Sequence, residues 1–366
     1  GGGEEAATGG GGVTLLSLLE QPRSGHPRDD SVSTVASDQE DSSSSVRTDP
    51  EEDDQCLSVT SPALPLETGG ACPEQWLWTG AHQLHKPEGR CEDAYFDCPL
   101  AMGVADGVGQ MIQFAKFGVD SAAYAQELMT NAAMAFQPGS SVASSLAPAG
   151  GPESLAAAAV ALADGESEAY GASTICVLCL QGRSLGVANL GDSGFIVLRP
   201  DGEGGAMNLV LRSEEQQHSW NCPYQLMRVP PIMAAKMPRN ARQDCADDCR
   251  RYRVTVQSGD LLLLFTDGLS DNLFEHEILT IVNQEAAVIE AEDGDDIALG
   301  LGVGPLPGRP PPERLAKALA LAARERSLDP QAEAPFCESA RRHGHRFTGG
   351  KTDDITVVAG WVIGDV

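Results

Sequence analysis

Positive charge is scarce in this chain. Lys and Arg together number 25 against 53 Asp and Glu, a formal net charge of -28 over 366 residues. That surplus opposes binding to nucleic acid or anionic lipid and favours cations or basic segments of partner proteins. Long apolar runs are also missing. An alanine-rich stretch near residue 155 and Leu261 to Phe265 come nearest. Both fall short of the roughly 18 to 20 residues that cross a bilayer, so no membrane span is expected. The ten cysteines are scattered rather than regularly spaced. This excludes a disulfide-dense scaffold and makes a reducing compartment the default. Cys176 and Cys179 form a CxxC pair, but within a run that reads as a strand, where positions three apart face opposite sides. Cys245 and Cys249 lack a second pair with zinc-finger spacing. There is no Walker GxxxxGK[ST] loop and no kinase signature, which argues against phosphoryl transfer from a nucleotide.

What is present divides the chain. Residues 1–70 are rich in Gly, Ser, Asp and Glu and, apart from Val13 to Leu19, carry almost nothing to bury. A disordered acidic tail is expected there. From about Trp76 the composition becomes globular, which gives one domain over 71–366. Short apolar runs bounded by Gly, Asp and Asn predict strands at Ala94 to Asp97, Ala101 to Ala105, Ser173 to Leu180, Ser184 to Leu190 and Phe195 to Arg199. Further strands are expected at Leu209 to Arg212, Arg253 to Val256, Leu261 to Thr266 and Ile355 to Ile363. Helices are predicted at Asp120 to Phe136, Glu275 to Glu290 and Pro312 to Ser327. Strands and helices do not alternate strictly, so an antiparallel α+β domain is expected rather than a doubly wound sheet. Two stretches, 137–170 and 291–312, break the pattern and read as surface insertions.

Five acidic motifs stand at or just beyond strand ends: Glu92-Asp93, Asp106-Gly107, Asp192, Asp267-Gly268 with Asp271, and Asp353-Asp354. Singly, each has a dull explanation, because Asp-Gly is a common turn pair and an acid after a strand is usually solvated. Together they suggest strand ends brought side by side, where carboxylates repel unless cations sit between them. Such hard oxygen donors select Mg²⁺ or Mn²⁺, and no His or Cys constellation points to zinc. Two such cations form a clamp for displacement at phosphorus. Gly191-Asp192-Ser193-Gly194 resembles a serine-protease string, but it has no His partner in a structured setting and leaves the other acids unexplained.

The strings Cys91-Glu92-Asp93-Ala94-Tyr95-Phe96, Gly103-Val104-Ala105-Asp106-Gly107-Val108-Gly109 and Gly171-Ala172-Ser173-Thr174 resemble, in order, signature motifs of type 2C metal-dependent serine/threonine protein phosphatases. So do Ala188-Asn189-Leu190-Gly191-Asp192-Ser193-Gly194, Phe265-Thr266-Asp267-Gly268-Leu269-Ser270-Asp271-Asn272 and Gly350-Lys351-Thr352-Asp353-Asp354-Ile355-Thr356. The likeness covers about 85–365. Ser213-Glu214-Glu215-Gln216-Gln217-His218 with Pro223-Tyr224-Gln225-Leu226 is similar to a segment of that family's organelle-type branch. A mitochondrial or plastid setting is therefore implied, with the cytoplasm as the default otherwise.

The resemblance implies a β-sandwich of two antiparallel sheets flanked by helix pairs, with the metals in a cleft at one end. It implies that Asp106 bridges two cations, that Asp267 and Asp353 complete the first site, and that Glu92 and the Gly107 carbonyl hold the second. Asp192 and Asp271, with Asp267, match acids that bind a weaker third cation in some members. Asp354 and Asp93 are expected to support the ligands from behind. Two departures stand out. Val108 occupies the position of a His proposed elsewhere to protonate the leaving group, and Glu88 that of an Arg that binds substrate phosphate. Lys86 and Arg90 are the nearby cations that could replace the Arg. The expected activity is hydrolysis of phosphoserine and phosphothreonine in phosphoprotein substrates by metal-bridged water, in a monomer. A catalytically silent binding module and a phosphatase of small-molecule phosphates remain as alternatives.

Overall fold

The computed structural model of the protein describes residues 59–60, 75–140, 150–202, 205–237, 243–296, 306 and 308–364. The predicted tail therefore lies outside the described residues, except for strand β1, Val59–Thr60. That strand runs parallel to Phe96 and Asp97, so those two residues belong to a sheet rather than to a tail. The chain continues through β2 (Gln75–Leu84), β3 (Asp93–Cys98), β4 (Ala101–Asp106), a 3-10 segment (Gly109–Phe117) and helices α1 (Ser121–Met134) and α2 (Pro152–Glu166). Next come β5 (Gly171–Ser173), β6 (Ile175–Gln181), β7 (Ser184–Leu190), β8 (Gly194–Pro200), β9 (Met207–Arg212), β10 (Gln217–Ser219), β11 (Cys222–Pro223) and β12 (Leu226–Arg228). The last part holds β13 (Arg250–Thr255), β14 (Leu261–Phe265), α3 (Glu275–Asp296), α4 (Pro312–Ser327), α5 (Pro335–Arg342) and β15 (Ile355–Gly364).

These strands form a six-stranded sheet, ordered β1-β3-β4-β6-β7-β13, and a five-stranded sheet, ordered β2-β15-β14-β8-β9. Apart from the β1–β3 pair, every neighbour in both sheets is antiparallel. Between the sheets lies a dry layer that includes Met102, Leu178, Val187, Phe195, Leu262, Leu264 and Val358. Helices α1 and α2 cover the outer face of the first sheet through Leu128, Met129, Ala156 and Val160. Helices α3 and α4 cover the second through Ile278, Val282, Leu315 and Leu319. The expected sandwich with paired helices outside is the one observed. Truncating a fully buried leucine such as Leu262 to alanine costs roughly 2–5 kcal/mol in such a layer.

Two glycines let the helices come close. A Cβ on Gly186 of β7 would lie 2.0 Å from the Pro152 carbonyl carbon at the start of α2. A Cβ on Gly80 of β2 would lie 2.4 Å from the Glu313 nitrogen at the start of α4. Each helix opens on a proline, which suits a first turn whose N–H groups have no intrahelical partner.

The structure revises three expectations. Residues 152–166, read as part of a surface insertion, form α2, whose alanines pack into the first core because small side chains allow close helix-on-sheet contact. In the stretch 291–312, α3 continues to Asp296, and most of the remainder lies outside the described residues. Strand β2 was not anticipated. It pairs with β15 along its whole length, Trp78 opposite Trp361. The CxxC pair behaves as a strand pair should: Cys176 faces the layer between the sheets and Cys179 the helices. Among the described residues no helix is long and apolar enough to cross a membrane.

Candidate metal and phosphate site

Five chain segments deliver the acids to one edge of the sandwich, Glu92 arriving just before β3. Asp106 ends β4, Asp192 stands in the β7–β8 turn, Asp267 follows β14, and Asp353 and Asp354 precede β15. The register sets Asp93 opposite Asp106 and Phe265 opposite Val357, which aligns these ends. Glu92, Asp106, Asp192, Asp267 and Asp353 line a cleft of about 240 Å³. Its walls also carry Lys86, Gly107, Val108, Thr174, Asn221, Gln225 and Lys351.

Such crowding is costly without a positive charge. Burial, then repulsion from Asp267, Asp93, Asp353 and Asp192, pushes the Asp106 carboxyl well above the usual carboxylate range. Burial and Asp267 do the same to Asp192. Asp353 is pushed up to about 6 by burial and Asp267, against the pull of Lys351 and Lys86. Asp271 is pushed up to about 7, again chiefly by burial. Of these five acids, Asp267 alone is held below its ordinary value, because the Lys351 ammonium outweighs its burial. Lys351 Nζ lies 2.5 Å from Asp267 Oδ2, 2.6 Å from Asp271 Oδ2 and 3.3 Å from Asp353 Oδ2.

Behind the cleft, hydrogen bonds fix the loop that carries Glu92. Asp354 Oδ1 accepts from the Lys86 backbone N–H at 2.8 Å, and its Oδ2 accepts from the Glu92 N–H at 2.9 Å. The Lys86 ammonium lies 2.7 Å from Glu92 Oε2 and 3.1 Å from Asp354 Oδ2. Asp93 is buried, and its Oδ2 accepts from the hydroxyls of Thr266 at 2.8 Å and Thr356 at 2.7 Å. Asp354 and Asp93 are thus braces rather than lining groups. On the opposite side, the β10–β11 hairpin brings Asn221 to the cleft, with a positive φ of 55°. Its neighbour Trp220 stacks on His345 with ring centres 4.1 Å apart and donates from Nε1 to Ser339 Oγ at 3.1 Å.

Of the residues singled out in the sequence, Glu92, Asp106, Gly107, Asp192, Asp267, Asp353 and Lys86 share this cleft. Asp271 does not line it but contacts Lys351, which does. Arg90 does not line it. Arg90 is 65% exposed, pairs with Asp120 at 2.7 Å and borders a neighbouring groove. The residue the sequence reading passed over is Lys351. It lies inside a motif singled out for its acids, and nothing in that motif shows where its ammonium points.

The donor set suits Mg²⁺ or Mn²⁺, since every candidate ligand is a carboxylate or carbonyl oxygen. Asp267 Oδ1 is buried and has no hydrogen-bond partner, which leaves it available to a cation. Among the described residues no three Asp, Glu, His or Cys side chains already close on one centre. Lys351 supplies the neutralising charge in this arrangement, drawing Asp267, Asp271 and Asp353 towards its own ammonium.

The two-sheet sandwich is the architecture that the sequence motifs anticipated, and comparison with known proteins agrees on the fold. A family model described as Protein phosphatase 2C matches residues 80–296. The chain belongs to the protein phosphatase 2C family. Probable protein phosphatase 2C 55 of Arabidopsis thaliana is 35% identical over 273 residues, which cover 74% of this chain and 48% of that protein. The Homo sapiens Protein phosphatase PTC7 homolog is 34% identical over 259 residues, covering 70% of this chain and 73% of that protein. The chain spans about half the length of the plant relatives it matches. The X-ray structure of the photosystem II phosphatase PBCP superposes with a TM-score of 0.56 at 23% identity, over 79% of this chain and all of that one. That likeness establishes the fold.

Proposed function

We propose that this chain hydrolyses phosphoserine and phosphothreonine in proteins with the help of two divalent cations, Mg²⁺ or Mn²⁺. Asp106, Asp267 and Asp353 would hold them together with Glu92 and the Gly107 carbonyl. The observation that carries the reading is the convergence of these acids on one cleft whose wall also carries Lys86. Bound cations would supply a nucleophile from water near neutral pH and neutralise charge at the phosphoryl group.

The chain's own residues bind and orient. The Lys86 ammonium, partly exposed at the cleft wall, takes a phosphate oxygen as a point charge. Asp354 fixes Lys86 and Glu92 relative to each other through their backbone N–H groups. Val108 lines the cleft with an apolar side chain and has no proton to give, so this position supplies no acid for the leaving alkoxide. The net charge of -28 favours phosphoproteins with basic flanking segments. The organelle-type segment around Ser213 to His218 supports a mitochondrial or plastid setting, which imaging of the tagged full-length protein would check.

Mn²⁺-dependent release of p-nitrophenolate from p-nitrophenyl phosphate tests the activity, and parallel phosphopeptide and metabolite panels test the substrate class. Tight Mn²⁺ binding without turnover would make the chain a binding module. A clear preference for metabolites would replace the substrate assignment.

A further inference from the structure

Lys351 is built into the cleft as firmly as the acids it touches. Asn272, fully buried, accepts from the Lys351 backbone N–H at 3.0 Å and donates to the Lys351 carbonyl at 2.9 Å. The ammonium lies over the Phe336 ring, 5.1 Å from its centre. An ammonium has three donors and no acceptor. Here the three carboxylates of Asp267, Asp271 and Asp353 surround it at 2.5, 2.6 and 3.3 Å. The Asp271 carboxylate makes its close contact to this ammonium, behind the lining of the cleft.

We propose that Lys351 is an internal substitute for a third divalent cation: its ammonium occupies the position between Asp267 and Asp271, so the chain takes up two Mn²⁺ ions and Asp271 holds none. This rests on the two-cation reading above and refines it, because the resemblance to type 2C phosphatases had offered Asp192, Asp271 and Asp267 to a third, weaker ion. A tethered ammonium satisfies the same two carboxylates at no cost in free metal. A divalent ion between them would have to displace a cation that is clamped at both its backbone groups.

The test is the number of Mn²⁺ ions bound by the full chain after stripping with chelator, measured by equilibrium dialysis and by calorimetric titration. The wild type is expected to bind two, Asp271→Asn also two with affinities within about twofold, and Lys351→Met three. Three ions in the wild type, falling to two in Asp271→Asn, would overturn the substitution and leave the two-cation reading standing. A folded Lys351→Met that still binds two would overturn it as well. If Lys351→Met does not fold by circular dichroism, the comparison of wild type with Asp271→Asn decides alone. A wild type that binds no Mn²⁺ would overturn both the substitution and the proposed function.

Discussion

The Lys86 ammonium meets the Glu92 carboxylate at 2.7 Å, and both project from one loop whose backbone N–H groups are held by Asp354. Arg90, four residues beyond Lys86, instead pairs with Asp120 and is 65% exposed. The two candidate phosphate cations are therefore not equivalent. Lys86→Met should raise KM for a phosphopeptide and weaken inhibition by inorganic phosphate by about tenfold, the low end for a charged hydrogen bond. Arg90→Met should change both by less than about twofold. Steady-state kinetics with phosphate as inhibitor would reverse the assignment if Arg90→Met proved the worse.

Asp106, Asp267 and Asp353 are expected to act as one unit. Each arrives from a different strand end, and burial and mutual repulsion set the charge state of Asp106 and Asp353. Replacing any one with Asn should cost more than the ~10–100-fold typical of losing a residue that merely supports a metal ligand. A double replacement should cost little more than a single one, as for groups that function together. Asp106→Asn should be the most severe and Asp192→Asn the mildest of the four. Turnover measured across a Mn²⁺ series gives the order, and an unaffected Asp106→Asn would remove the basis of the site assignment.

At the far end of the sandwich, Arg199 meets the fully buried Asp260 through Nε at 2.8 Å and Nη2 at 2.7 Å. The Gln257 N–H adds a third bond to that carboxylate at 3.0 Å. Removing the arginine strands a buried charge, whereas removing the acid's charge leaves a guanidinium that can turn to solvent. Arg199→Met should therefore cost about 3 kcal/mol, the low end for a broken buried pair because Arg199 is itself a third exposed. Asp260→Asn should cost less. Urea denaturation of the two variants would show the asymmetry, and equal costs would argue that the charge is not what matters.

Asp120 caps α1 by accepting from the Ala123 N–H at 3.0 Å. Partial burial raises its carboxyl, but the Ala123 N–H and the Arg90 guanidinium outweigh that and hold it below its ordinary value. A depressed folded-state value gives stability that is present above the unfolded value, near pH 4, and is lost as pH falls through the folded one. Asp120→Ala should lose about 1 kcal/mol at pH 7. The gap to wild type should narrow below about pH 4. Asp120→Asn keeps the cap acceptor and should fall between the two. Thermal denaturation at pH 7 and pH 3 is the measurement, and a gap that widened in acid would contradict the account.

Much of the site was legible in the sequence because its acids sit at strand ends, where a short apolar run followed by Asp is visible without knowing which strands pair. Asp106, Asp267 and Asp353 are of this kind. Lys351 was not legible, because the direction of a long flexible side chain depends on the clamp by Asn272, which is 79 positions away. Strand β2 was hidden because Gln75–Leu84 mixes Trp, Gln, His and Gly along a mostly half-buried strand. Helix α2 was hidden for the opposite reason. A run of alanines carries little hydrophobic contrast, and only its contact with Gly186 of β7 shows that smallness is what the core requires there. Arg90 was misplaced because spacing along a loop does not reveal that Asp120 stands ready to bind it.

The hairpin that carries Asn221 to the cleft also carries its own optical gauge. The chain has four tryptophans. Trp76, Trp78 and Trp361 lie on β2 and β15, within one pair of hydrogen-bonded strands. Trp220 alone stands beside the cleft, stacked on the His345 imidazole. Any event that lifts the hairpin separates Trp220 from His345 and leaves the other three undisturbed. A ligand that displaced the hairpin would therefore be readable as a change in fluorescence of the unlabelled protein.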